Sequence, residues 1–132
     1  MASDKKRPEL SPIPEGRAKN LQRYEGFSYG MATMKWIPNG PKLGMGIKDF
    51  RETVIVSRCN AGSLSERCLA EGDLLIDVDG TPVNDRSVAK DLLVKNIQEN
   101  GKVTFVVERP DSNLAKRWVD YMLTRYPFIK IK

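Results

Sequence analysis

Apolar and polar positions alternate at period two in several short stretches of this chain, and two longer stretches carry the wider spacing of a helix face. Tyr29, Met31, Met34, Trp36 and Ile37 predict a strand that Pro38-Asn39-Gly40-Pro41 interrupts. Leu43, Met45 and Ile47 then alternate with Gly44 and Gly46, so three apolar side chains share one face of a strand running from Met45 to about Phe50. The intervening glycines permit positive φ or the close approach of another backbone. Residues 53–58 form a β-branched run that reads as a buried strand. Asn60-Ala61-Gly62 is a turn, and Ser63 caps a short helix with Glu66 in the capping-box position, closed by Gly72-Asp73. Residues 74–78 are a further strand, and Asp79-Gly80 predicts a type I′ hairpin because both central positions of that turn need positive φ.

Asn84, Asp85 and Ser87 are candidate caps for a long helix whose apolar residues fall at Val88, Leu92, Leu93 and Ile97, and Asn100-Gly101 stops it. A strand over residues 103–108 follows, broken at Pro110. Leu114, Trp118, Val119 and Met122 repeat at helical spacing, which predicts an amphipathic helix over residues 113–124 outside the core, ended by Pro127. The chain through about Tyr24 holds Pro8, Pro12 and Pro14 without periodicity and reads as a mobile arm. The organisation is thus a basic, proline-containing arm over 1–27, a domain over 28–110 and a helical extension over 111–132. The element order is too irregular for a parallel doubly wound sheet. It predicts an α+β fold: a small, partly open antiparallel β-barrel or sandwich of five to six strands with two helices, plus the extra C-terminal amphipathic helix.

Composition narrows the function classes. At 132 residues and 40% hydrophobic content the chain suits one folded domain with flanks. The formal charge is +5, but residues 31–110 carry 11 basic and 11 acidic side chains, so the excess lies in the flanks. With a neutral core and no recognised aromatic stacking motif, nucleic acid is not expected as a partner. No apolar run approaches a membrane span and the first residues lack the apolar stretch of a secretory signal, so a cytoplasmic protein is expected, membrane-associated through partners if at all. Cys59 and Cys68, with eight residues between them and no histidine in the chain, match neither a disulfide framework nor a zinc site.

Three segments in order resemble the PDZ domain family. Lys42-Leu43-Gly44-Met45 is similar to the family's Gly-Leu-Gly-Phe carboxylate-binding loop, with lysine in place of the first glycine. Ala61-Gly62-Ser63-Leu64 resembles the segment around the first helix, and residues 72–80 resemble the fourth strand and its turn. The resemblance implies a non-catalytic adaptor or scaffold module in signalling, without a cofactor, that captures the C-terminal tails of other proteins by strand addition. The amides of Leu43, Gly44 and Met45 would hold the terminal carboxylate, Gly46 and Lys48 would continue the pairing strand, and Leu43, Met45 and Ile47 would line a pocket for an apolar last side chain. Aligned on a helix starting at Ser87, the resemblance puts Val88 at the first groove-facing position, Leu92 one turn on and Lys95 near the next. In the family a histidine at that first position favours Ser or Thr two residues before the ligand's end. Valine cannot bond that hydroxyl, so an apolar residue is expected there, the class II pattern. Lys95 departs from the family, where an apolar side chain sits; its ammonium either helps hold the ligand's carboxylate or, the commoner case, extends its tip into water.

Other chemistry is weaker. Asp77 and Asp79 lie two apart and share a face, but turn chemistry explains Asp79 and surface exposure Asp77. Without histidine, Ser-His-Asp and Cys-His nucleophiles are excluded, and no enzyme is predicted. The rival from a different class is a membrane-surface or phosphoinositide-binding adaptor whose anionic contacts come from Lys5, Lys6, Arg7, Arg17 and Lys19 and from Lys116, Arg117, Arg125, Lys130 and Lys132.

Overall fold

The computed structural model describes residues 7–19 and 21–130, with side chains described as far as residue 124. Six strands form one antiparallel sheet: β1 (Phe27–Lys35), β2 (Met45–Phe50), β3 (Thr53–Cys59), β4 (Leu74–Val78), β5 (Thr81–Pro82) and β6 (Lys102–Pro110), among helices α1 (Glu15–Ala18), α2 (Leu64–Cys68), α3 (Arg86–Asn100) and α4 (Asn113–Lys130). The strand order is β1-β6-β4-β3-β2, with β5 paired to β4. The predicted α+β architecture is present, and its sheet curls between two apolar layers.

Strand alternation sends neighbouring side chains to opposite layers. Val54 and Val56 join Leu75, Phe105, Val107, Leu93 and Ile97 under α2 and α3. Ile55 and Leu74 point the other way, onto Val119 and Met122 of α4. The C-terminal helix therefore covers the second face of the sheet. It continues to Lys130, past the expected stop at Pro127.

Local signals account for most boundaries. Ser63 caps α2, accepting from Glu66 N at 3.3 Å, and the Glu66 carboxylate accepts from Gly62 N at 2.8 Å. The helix closes at Cys68, before the glycine expected to end it. Asp79 and Gly80 take φ of 50° and 93°, as the hairpin turn requires. Strand β1 runs two residues earlier than its aromatic pattern predicted and leaves Trp36 and Ile37 in the following loop, 49% and 40% exposed.

The segment expected to be a mobile arm is docked. Ser11 and Met31 exchange backbone hydrogen bonds of 2.8 and 2.7 Å, placing a short bridge on the outer edge of β1. Gly30 permits this approach, because a Cβ there would overlap Leu10 and lie 3.0 Å from the Ser11 carbonyl. Arg17 forks onto the Asp77 carboxylate at 2.7 and 3.1 Å and also reaches Thr104 Oγ1. Asp77 is consequently buried, at 6% exposure, and not the surface residue its position in the sequence implied. These anchors are single residues without periodicity, which is why pattern reading misses them.

A second ion pair lies deeper. Arg109 Nε and Nη2 donate to the two Asp73 carboxylate oxygens at 2.8 and 2.9 Å, while Nη1 donates to the Pro8 carbonyl. Asp73 also accepts from Ala70 N, closing the turn after α2. Replacing Arg109 by Leu strands a carboxylate that is 1% exposed. The expected loss is about 3–5 kcal/mol of unfolding free energy, read from urea midpoints, and a loss below about 1 kcal/mol would contradict this assignment.

Glu108 is a third buried carboxyl. Burial pushes it above the ordinary glutamate range, and the hydrogen bond donated by Tyr29 Oη partly offsets the rise. The folded protein therefore holds this proton more tightly than the unfolded chain does. The stability it contributes is full below the ordinary glutamate value and is lost as pH rises through the raised folded value. Glu108→Gln keeps the acceptor for Tyr29. It should be near neutral at about pH 4 and more stable than the parent at about pH 7, by urea midpoints at each pH. A midpoint difference that does not move with pH would refute this.

A candidate functional site between β2 and α3

The loop entering β2 is held from behind. Leu64 N and Ser65 N, at the start of α2, donate to the carbonyls of Lys42 and Leu43 at 2.9 and 3.1 Å. Asn60 N and Ser65 Oγ donate to the Gly44 carbonyl at 2.8 and 3.0 Å. The chain contains no cis peptide among the described residues. In a trans peptide unit each N–H points opposite to the preceding carbonyl. Three carbonyls turned toward α2 and the Asn60 turn thus turn the N–H groups of Leu43, Gly44 and Met45 away from them. The Leu43 and Gly44 N–H groups donate to no group among the described residues.

The conformation needs glycine at one position. Gly44 has φ of +59°, and a Cβ there would overlap the Ser63 side chain, whose Oγ would lie 2.8 Å away. Lys42 contributes its carbonyl to the anchor. Strand β2 then continues at the end of the sheet, with β3 its one strand neighbour among the described residues. Met45 stands opposite Cys59, and the bond from Asn60 N to the Gly44 carbonyl makes that pair non-hydrogen-bonded. The N–H and C=O of Met45 therefore project to the open edge. The register slips between Gly46 and Ile47, so β2 bends there.

Across this edge lies a groove of about 440 Å³. Leu43, Met45 and Ile47 line one wall. Arg86, Ser87, Lys90 and Val94 of α3 line the other, with Leu93, 3% exposed, closing the floor. Asp85 caps α3, accepting from Ser87 N and Val88 N, and the Asp49 carboxylate of β2 accepts from Arg86 N at 2.9 Å. That last bond ties the far end of β2 to the start of α3. At the other end a second cavity of about 430 Å³, lined by Trp36, Ile97 and Gln98, shares Leu43 and Val94 with the groove.

Seven of the ten residues singled out from sequence lie on the loop and on β2. Of these, Leu43, Met45 and Ile47 turn their side chains into the groove, Gly44 and Gly46 lend backbone, and Lys48 sits at an alternate position of β2. The three helix residues are not groove-facing. Val88 is 48% exposed and outside the lining, Leu92 packs half-buried against the core, and Lys95 is exposed. The helix begins at Arg86 on an Asp85 cap, one residue before the Ser87 start used to set its register. One residue turns a helix by about 100°, so the groove face passes to 87, 90 and 94. The three capping candidates Asn84, Asp85 and Ser87 left that choice open, and Asp85 decides it.

The remaining titratable groups serve the framework. Asp79 accepts from Thr104 N and Oγ1 and from Asn96, and Asp77 accepts from Arg17 and Val106 N, so neither carboxylate pairs with the other. Burial pushes the Cys59 thiol up and the Cys68 thiol up to about 12. Both cysteines are free, and their thiolate forms are disfavoured.

Gly44→Ala should lower unfolding free energy by more than 1–2 kcal/mol, roughly the intrinsic left-handed penalty, because steric overlap adds to it. Gly62→Ala is the control, at φ +78° with open space around the added methyl. Equal urea midpoints for the two variants would contradict the packed geometry of the loop.

No protein-family model matches the chain. The human and mouse forms of PDZ domain-containing protein 4 are each 29% identical to it over 113 residues, covering 80% of this chain. The chain spans only 14% of the length of these curated relatives. Among solved structures, the PDZ domain of a choanoflagellate GIPC, bound to a GAIP peptide, is 23% identical, with 65% of this chain and 95% of that one covered at a TM-score of 0.52. The fourth PDZ domain of MUPP1 is 17% identical over 72% of this chain and 86% of its own, at a TM-score of 0.51. These likenesses show that the folded core of this chain has the fold of PDZ domains.

Proposed function

We propose that this domain is an interaction module that binds the C-terminal tail of a partner protein as an added strand on β2. The observation that carries the reading is the set of three outward N–H groups at residues 43–45 beside an unpaired sheet edge. Successive amides turned to one point make a site for an anion, and an exposed edge offers main-chain hydrogen bonds to any extended peptide. The choanoflagellate GIPC domain was solved with a GAIP peptide and with a B1AR peptide, which supports the same use here.

The terminal side chain would enter the apolar end of the groove at Leu43 and Val94, next to the cavity bounded by Trp36 and Ile97. Full burial of a Leu, Ile, Val or Phe side chain contributes about 1.5–3 kcal/mol, so an apolar last residue is favoured. An apolar residue two places earlier lacks the support first given for it, because Ser87 and not Val88 faces the groove. The membrane-surface reading loses two of its ten cations to ion pairs, while Lys19, Lys116 and Arg117 remain exposed. Arg17 is bound to Asp77 and Arg7 to Asp111, while Lys5, Lys6 and Lys132 lie outside the described residues, as do the side chains of Arg125 and Lys130.

A tail peptide ending in Leu or Val with a free carboxylate should bind at least about tenfold more tightly than its C-terminal amide, since charge-assisted hydrogen bonds contribute about 1.5–3 kcal/mol. Fluorescence anisotropy with the two peptides checks this. Equal affinity for acid and amide would overturn the proposal.

A further inference from the structure

We infer that Lys90 makes this groove selective for tails bearing Asp or Glu two residues before the end, an inference that rests on the tail-binding reading. The groove wall formed by α3 carries two cations, Arg86 and Lys90, and among the described residues no acidic side chain lines the groove. Neither cationic side chain has a hydrogen-bond or ion-pair partner among the described residues. The nearby carboxylates are otherwise engaged or turned away. Asp49 accepts from Arg86 N, Asp85 accepts from Ser87 N and Val88 N, and Asp91 lies outside the lining.

The spacing identifies which ligand position meets which cation. A strand added to β2 presents alternate side chains to α3, starting with its last, seated near Val94. The next helix-facing side chain lies two residues back, about 6.7 Å along an extended chain. Lys90 lies four residues before Val94 on α3, about 6 Å along a helix axis. The two rises agree, so a side chain two residues before the end arrives beside Lys90, with the Ser87 hydroxyl one turn on. Arg86 stands a further turn toward the helix start, about 12 Å from Val94, and adds positive potential along the path of the tail. A carboxylate here gains a partner in a partly enclosed groove. A lysine or arginine at the same ligand position meets like charge.

Three labelled hexapeptides ending in Leu with a free carboxylate, carrying Glu, Gln or Lys two residues before the end, test this by fluorescence anisotropy. The expected order is Glu, then Gln, then Lys, with about 3- to 10-fold between neighbours at low salt and smaller gaps at about 0.5 M salt. Lys90→Glu should reverse the order, and Lys90→Gln should flatten it. Lys90 is exposed, so neither variant disturbs the core. Carboxylate-dependent binding with equal affinity for all three peptides, or an order unchanged in Lys90→Glu, overturns the inference and leaves tail binding standing. Free acids that bind no better than amides overturn both.

Discussion

Three consecutive carbonyls of residues 42–44, fixed against the N-terminus of α2 and the Asn60 turn, set the direction of the three amides that follow them, and the open groove is built around that orientation. Rotating any one of these peptide units would break a bond to α2 or the Asn60 turn and turn an N–H inward. Ser65, fully buried, holds the Gly44 carbonyl through its hydroxyl while its own N–H holds Leu43. Ser63 caps the same helix turn and fills the space that a side chain at residue 44 would need. The short helix therefore acts as an anchor for the loop, and its apolar residues Leu64 and Cys68 fasten it to the main core.

The rest of the fold manages the two edges of the sheet differently. The edge at β1 carries the Ser11 bridge, with Arg17 and the Arg109–Asp73 pair fastening residues 8–18 around it. The edge at β2 is left without a strand among the described residues and faces α3. An unpaired edge invites association with other chains, and here a helix wall, a bend at Gly46–Ile47 and charged residues restrict what can pair. Helix α4 closes the far face of the sheet over Ile55 and Leu74, leaving Trp118 and Tyr121 stacked with centroids 6.1 Å apart at its surface.

Much of this was legible in the sequence because the determining signals were local. Leu43, Met45 and Ile47 declared their face by alternation, Asp79-Gly80 declared its turn through φ, and Ser63 and Gly101 declared helix ends. The α3 register was ambiguous for a physical reason: three of four consecutive residues, Asn84, Asp85 and Ser87, can each cap a helix, and the bond from Arg86 N to Asp49 that ties the start to β2 is a tertiary one. The docked arm was illegible because its hold comes from isolated long-range partners, Arg17 with Asp77 and Leu10 beside Gly30, which leave no period. Burial of Asp77 follows from the same missing contact.

Amide hydrogen exchange, followed residue by residue by NMR while a free-acid tail is added, tests the central geometry most directly. The account predicts that the N–H groups of Leu43, Gly44 and Met45 become strongly protected on binding, together with alternate amides along β2. Protection confined to α4 or the flanking segments, with those three amides exchanging as fast as before, would contradict it.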